Sequence, residues 1–147
     1  MFEILEEIKK AEVLDVSVEK SVKQRPQVLC GSTYKITPPS GAALYVTIND
    51  IVDSNGVHKP FEIFINSKNM EHYQWIVALT RVISAVFRYG EDVSFLAEEL
   101  KSVFDPKGGY FKNGKWIPSL VAEIGICIET HIGIETQHAP KECENCE

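Results

Sequence analysis

No apolar run in this chain approaches the ~18 residues that a membrane-spanning helix needs. The opening residues, Met1-Phe2-Glu3-Ile4-Leu5-Glu6-Glu7, put acids where a secretory signal would carry base and then an apolar segment. Both absences predict a cytoplasmic protein with no membrane partner. Basic charge is also short. Fifteen Lys and Arg stand against 21 Asp and Glu, a net charge of −6, so bulk attraction for nucleic acid is lacking. There is no Gly-rich phosphate loop leading into a helix, no nucleophile elbow and no paired-histidine metal motif. With 147 residues the chain is one domain in size, too short for a catalytic barrel plus a second domain. A hydrophobic fraction of 44% excludes wholesale disorder.

What is present is ordered by period. Residues 2–13 read as a short amphipathic helix, with Phe2, Leu5, Ile8 and Val13 on one side and Glu6, Glu7, Lys9 and Lys10 on the other. A polar linker follows, and Pro26 argues against helix there. From Val28 the period becomes two. Thr33-Tyr34-Lys35-Ile36-Thr37 alternates and ends at the turn Pro38-Pro39-Ser40-Gly41. In Leu44-Tyr45-Val46-Thr47-Ile48-Asn49, the residues Leu44, Val46 and Ile48 face one way. Asp53-Ser54-Asn55-Gly56 is a turn, and Phe61, Ile63 and Ile65 mark the inner side of a third strand. Short connections favour an antiparallel meander.

The second half has helical spacing. Trp75, Leu79, Val82, Ile83 and Val86 are predicted to form a core face against Val46, Ile48, Ile63 and Ile65. Gly90 stops that helix, and Asp92 opens a second one carrying Val93, Leu96, Leu100 and Val103. Asn113-Gly114 predicts a type I′ hairpin. Pro118 leads a last helix from Ser119 to about His131, with Leu120, Val121, Ile124 and Ile128 inward. The fold class is α+β: a three-stranded antiparallel meander followed by about three helices packed on the sheet. The organisation is an N-terminal helix and linker over 1–24, an α+β domain over 25–131, and a polar tail over 132–147.

Few residues carry chemistry. Asn49, Asp50 and Asn66 read as turn and edge polarity. Tyr110, Phe111 and Trp116 are expected to anchor the hairpin on the core while Lys107, Lys112 and Lys115 stay solvated. The alternative there is a surface that stacks a base or docks a partner. Cys30 and Cys127 read as small packed residues. Cys143-Glu144-Asn145-Cys146 is the informative site, because two thiols at this spacing can close a disulfide or chelate a metal. A tail of about 15 polar residues reaches up to roughly 50 Å when extended. A dithiol on such an arm suits reduction of a distant disulfide by exchange. The alternative is a zinc set of His131, His138, Cys143 and Cys146, in a small module that binds nucleotide or nucleic acid.

Three motifs occur in order: Arg25-Pro26-x-Val28-Leu29-x-Gly31-x-Thr33-Tyr34-Lys35, Leu44-Tyr45-Val46-Thr47-Ile48-Asn49, and Pro60-Phe61-Glu62-Ile63-Phe64-Ile65-Asn66. Together they resemble the TSCPD domain found at the C-terminus of adenosylcobalamin-dependent (class II) ribonucleotide reductases. Phe104-Asp105-Pro106-Lys107-Gly108-Gly109 and Pro118-Ser119-Leu120-Val121-Ala122-Glu123-Ile124-Gly125 resemble the branch that occurs as a separate chain. The resemblance spans residues 25–130. It implies an accessory subunit in deoxyribonucleotide synthesis, not catalytic alone, partnered by a large catalytic subunit and a thioredoxin-like donor. Adenosylcobalamin is then expected on the partner, with no cofactor in this chain. By the same resemblance, Cys143 and Cys146 take the role of re-reducing the large subunit's active-site disulfide. The remaining alternative is a non-redox interaction protein that keeps the fold.

Overall fold

The alternation in the first half produces three strands. A computed structural model describes residues 23–137 except 40 and 91, together with the side chains up to residue 133. The proposed N-terminal helix over 2–13, and His138, Cys143 and Cys146, lie outside the described residues. Strand β1 (Cys30–Ile36) pairs antiparallel with β2 (Leu44–Val52), which pairs antiparallel with β3 (His58–Ser67). The order β1-β2-β3 is the predicted meander. Leu44, Val46 and Ile48 of β2 are buried with Phe61, Ile63 and Ile65 of β3, while Tyr45 and Phe64 on the other face are exposed. Between β2 and β3, Asp53 Oδ1 accepts the amides of Asn55 and Val57 at 2.9 and 3.0 Å, and Gly56 takes the left-handed φ of 76°. The ladder shifts where Asn49 opposes Glu62 but Asp50 opposes Pro60, which leaves Phe61 as an extra residue. Proline tolerates this bulge because it has no amide to give to the ladder.

Helix α1 (Tyr73–Tyr89) packs on the outer edge strand, β3. The Ser84 hydroxyl accepts the Ile63 amide at 3.1 Å and reaches its carbonyl at 3.4 Å, so a side chain satisfies the unpaired strand edge. The expected core face is half corrected. Ile83 is buried, and Leu79 and Val86 pack partly against the core, but Trp75 is 69% and Val82 61% exposed. The apolar arc of this helix is wider than the sheet covers, and spacing alone does not say which part of it meets the sheet. The stripe that does so runs through Ile76, Leu79, Thr80, Ile83 and Phe87.

Helix α2 (Ser94–Lys101) follows Asp92, whose carboxylate accepts the Ser94 amide at 2.9 Å. It rests chiefly on the last helix, α3 (Leu120–Gln137). Gly125 allows this approach. A Cβ there would sit 2.9 Å from the Leu100 Cβ and 3.0 Å from the Ala97 carbonyl. Between α2 and α3 lies the hairpin of β4 (Tyr110–Lys112) and β5 (Lys115–Ile117). Asn113 and Gly114 adopt φ of 52° and 75°, as a type I′ turn requires.

Ser119 starts α3. Its hydroxyl accepts the Ala122 amide at 3.0 Å and donates to the Val103 carbonyl at 2.6 Å. The helix does not stop near His131 but runs to Gln137. Ala122, Glu123, Ile124, Cys127, Ile128 and His131 are all buried. The sheet, α2 and the hairpin cover it from different sides, so its buried surface is wider than one stripe. Among the described residues no helix is long and apolar enough to cross a membrane.

Candidate functional site

The three strand motifs converge on two polar clusters, one on each face of the sheet. On the outer face, Gly31 of β1 stands opposite Asn49 of β2. A Cβ on Gly31 would collide with the Asn49 side chain and the Ile48 carbonyl, so only glycine lets Asn49 lie across it. Asn49 Nδ2 then donates to Glu62 Oε1 at 2.9 Å. Arg25 completes the cluster with a two-pronged contact, Nε to Oε2 at 2.9 Å and Nη2 to Oε1 at 2.8 Å. Glu62 is only 2% exposed although it belongs to the outer face. The hydrogen bond from Arg25 holds its carboxyl below the usual glutamate range, helped by Asn49 and by the charges of Arg25 and Arg88 and opposed by burial. The carboxylate is fully engaged, so the cluster clamps the segment before β1 to the sheet. It has no spare group for acid–base chemistry.

On the inner face, Asp50 Oδ1 lies 2.9 Å from His131 Nε2, and His131 Nδ1 lies 2.8 Å from the Tyr34 hydroxyl. The rings of Tyr34 and His131 meet edge to face at 83°. Asp50 and His131 are 5% and 3% exposed. A carboxylate can only accept, so Nε2 carries its proton, and in a neutral ring Nδ1 accepts the tyrosine proton. The chain ties β1, β2 and α3 together. It also engages both nitrogens of His131, so a metal at this histidine would have to displace Asp50 or Tyr34. Among the described residues no group of three or more His, Cys, Asp or Glu is placed to hold a metal.

The turn-and-edge reading of Asn49, Asp50 and Asn66 is corrected for two of the three. Asn66 is exposed, whereas Asn49 and Asp50 belong to these clusters. A signal for Asp50 was present. It falls on the same alternation as Leu44, Val46 and Ile48, so the strand period turns it inward. His131 likewise continues the inward series Ile124 and Ile128.

The cysteines separate by environment. Cys127 is buried in α3, and burial together with the charge of Glu123 pushes its thiol up to about 12. Cys30 is half-buried at the start of β1. The hairpin departs from expectation. Of its three aromatics Tyr110 anchors it, through its hydroxyl on buried Glu123, beside buried Ile117; Lys112 is not solvated as expected but pairs with the same carboxylate. Burial, and then the hydrogen bond to and charge of Glu123, push the Tyr110 hydroxyl well above the usual phenol range. Phe111 and Trp116 are 72% and 52% exposed and meet edge to face, 5.1 Å between ring centres, while Lys107 and Lys115 are solvated. Antiparallel register sets Phe111 opposite Trp116, so both rings share the outward face.

Compared with known proteins, the chain matches one family model, described as TSCPD domain, over residues 16–132. No curated protein and no solved structure matches it.

Proposed function

The chain belongs to the TSCPD domain family, which is associated with ribonucleotide reductase, and from that premise we propose that it is an accessory component of a class II reductase that carries a dithiol electron shuttle. The observation that supports this reading most is the family match over residues 16–132, with Cys143-Glu144-Asn145-Cys146 lying beyond the matched region. The shuttle needs reactive thiols, and Cys127 is unsuited to the task because its thiolate is suppressed.

In the proposed step, the thiolate of one tail cysteine attacks the active-site disulfide of the large subunit and forms a mixed disulfide. The second tail cysteine attacks that bond. The large subunit regains two thiols, and Cys143 and Cys146 become a disulfide. Two electrons and two protons are transferred. A thioredoxin-like dithiol then reduces the tail and is itself oxidised. Adenosylcobalamin chemistry belongs to the large subunit and uses no residue of this chain. Glu142, Glu144 and Glu147 beside the tail cysteines repel negative charge and disfavour thiolate in the free chain. The arm therefore reacts best where a docked partner supplies positive charge.

The test is ribonucleotide reduction by a large class II subunit, with this chain added and thioredoxin as donor. Cys143→Ser with Cys146→Ser should abolish multiple turnover and leave a single burst of product. Full turnover by the double variant would refute the shuttle and leave subunit assembly as the role. One equivalent of tightly held zinc, with protected thiols, would instead favour the zinc module.

A further inference from the structure

A groove of about 190 Å³ opens where the sheet meets all three helices. Its wall is apolar: Ile51 of β2, Phe61 of β3, Phe87 of α1, Val93 just before α2 and Ile132 of α3. Its polar members stay at the surface. Lys23, Asp92 and Ser94 are exposed, and Lys59 is half-buried. Asp92 already accepts the Ser94 amide, and Lys59 stands 3.4 Å from Asp53. A small-molecule site pairs an apolar wall with a few inward polar groups that orient the ligand. Among the described residues this wall offers no buried polar side chain for that purpose. It is a surface for apolar side chains.

The chain itself leads out of this groove. Lys23, the first described residue, is part of the wall, and Arg25 just after it is clamped to Glu62. The residues before Lys23 are therefore tethered at the mouth, at the high effective concentration a short tether gives. The family match begins at residue 16, so residues 16–22, which lie outside the described residues, belong to the same unit as the described domain. Leu14, Val16 and Val18 alternate with Asp15, Ser17 and Glu19, which makes one apolar edge on an extended chain. Extended chain from Lys23 back to Val16 spans about 23 Å, ample to double back over the wall. Size agrees as well. A cavity of roughly 150 Å³ admits benzene, and the two valine isopropyl groups together hold as many carbons as that ring. A helix over residues 2–13 is too wide for the groove, being about 10–12 Å across with its side chains.

We propose that residues 14–19 cross the mouth of this groove as an extended strap, with Val16 and Val18 filling it. The strap joins β2, β3 and the three helices at the point where they meet, and it closes the groove to small molecules. This inference stands apart from the redox reading, since it uses none of the cysteines.

The test is thermal unfolding of the full chain with and without benzene, followed by circular dichroism. Val16→Ala with Val18→Ala should lower Tm by roughly 5–10 °C. Ser17→Ala, on the other edge of the strap, should leave Tm within about 1 °C. Benzene should recover part of the loss in the double variant and leave the native chain unchanged, because only the variant has an open cavity. Val18→Ala and Ile51→Ala should together lower Tm by less than the sum of their separate shifts, since the two side chains share one cavity. Val18→Ala and Val82→Ala, the latter on the exposed face of α1, should give additive shifts. An equal rise with benzene in the native chain would overturn the proposal in favour of an open small-molecule site. An unchanged Tm for the double variant, additive shifts for Val18 and Ile51, or coupling of Val18 to Val82 would overturn it too, the last by placing the segment on α1.

Discussion

Replacing His131 by alanine removes the middle of a buried chain of three side chains and leaves both ends behind. The carboxylate of Asp50, 5% exposed, loses a hydrogen bond of 2.9 Å. A bond to a charged group contributes about 1.5–3 kcal/mol. The Tyr34 hydroxyl loses its bond of 2.8 Å, a neutral interaction of about 0.5–1.5 kcal/mol. The missing ring leaves a cavity between α3 and the sheet, so the total is about 3–5 kcal/mol. That is a large fraction of the ~5–15 kcal/mol typical of a domain, and it should lower Tm by roughly 10 °C. Tyr34→Phe removes one hydroxyl and should cost about 1 kcal/mol in the native background. In the His131→Ala background the same change should cost less, because the bond to His131 has already gone. Urea unfolding, followed by circular dichroism and tryptophan fluorescence, gives the four free energies of this cycle. Equal cost of Tyr34→Phe in the two backgrounds would mean the residues are not coupled. A loss below about 1 kcal/mol for His131→Ala would refute the idea that this histidine joins α3 to the sheet.

Ile83→Ala should destabilise the chain by about 2–5 kcal/mol, and Trp75→Ala by less than about 0.5 kcal/mol, in the same unfolding assay. The reverse order would mean that α1 presents its other stripe to the sheet. Because the Glu62 carboxyl titrates below its ordinary value of 4.5 when folded, its stabilisation is present above that value and is lost as pH falls through the folded one. Arg25→Ala should therefore reduce the loss of stability on acidification below about pH 4.5, measured as unfolding midpoints against pH. Cys127 should resist iodoacetamide at pH 8 in the folded chain and react once urea unfolds it, as read by peptide mass spectrometry. Labelling at the same rate in both states would contradict its burial.

The sheet was legible because its strands bury one face and wet the other, so Leu44, Val46, Ile48, Ile63 and Ile65 appear at period two. The turns were legible through residues that tolerate left-handed backbone, Gly56, Asn113 and Gly114. The orientation of α1 was not, because the apolar arc of Trp75, Ile76, Leu79, Val82, Ile83 and Val86 is wider than the face that meets the sheet, and the polar stripe of Gln74, Arg81 and Arg88 does not say which edge of that arc is covered. The end of α3 was missed because Gly133 and the polar residues after it do not read as helix, yet the helix runs on to Gln137. The Arg25–Glu62 and Asp50–His131 pairs join residues 37 and 81 apart. Local spacing carries no information about such partners. The motifs named the residues, and only the fold shows why Gly31 must lack a side chain.

The depth at which α3 is set has a consequence for synthesis. The contacts of His131 reach back 81 residues to Asp50 and 97 to Tyr34. While the chain is being translated, β1, β2, β3 and α1 emerge long before α3 does, and the part of the inner face that α3 covers waits open. The Asp50 carboxylate lacks its His131 partner until α3 has left the ribosomal tunnel. At about 5–20 residues per second, that interval is several seconds. The nascent meander is thus a period of exposure to chaperones and to misassociation. Codon usage between the end of α1 and the start of α3 sets how long that exposure lasts.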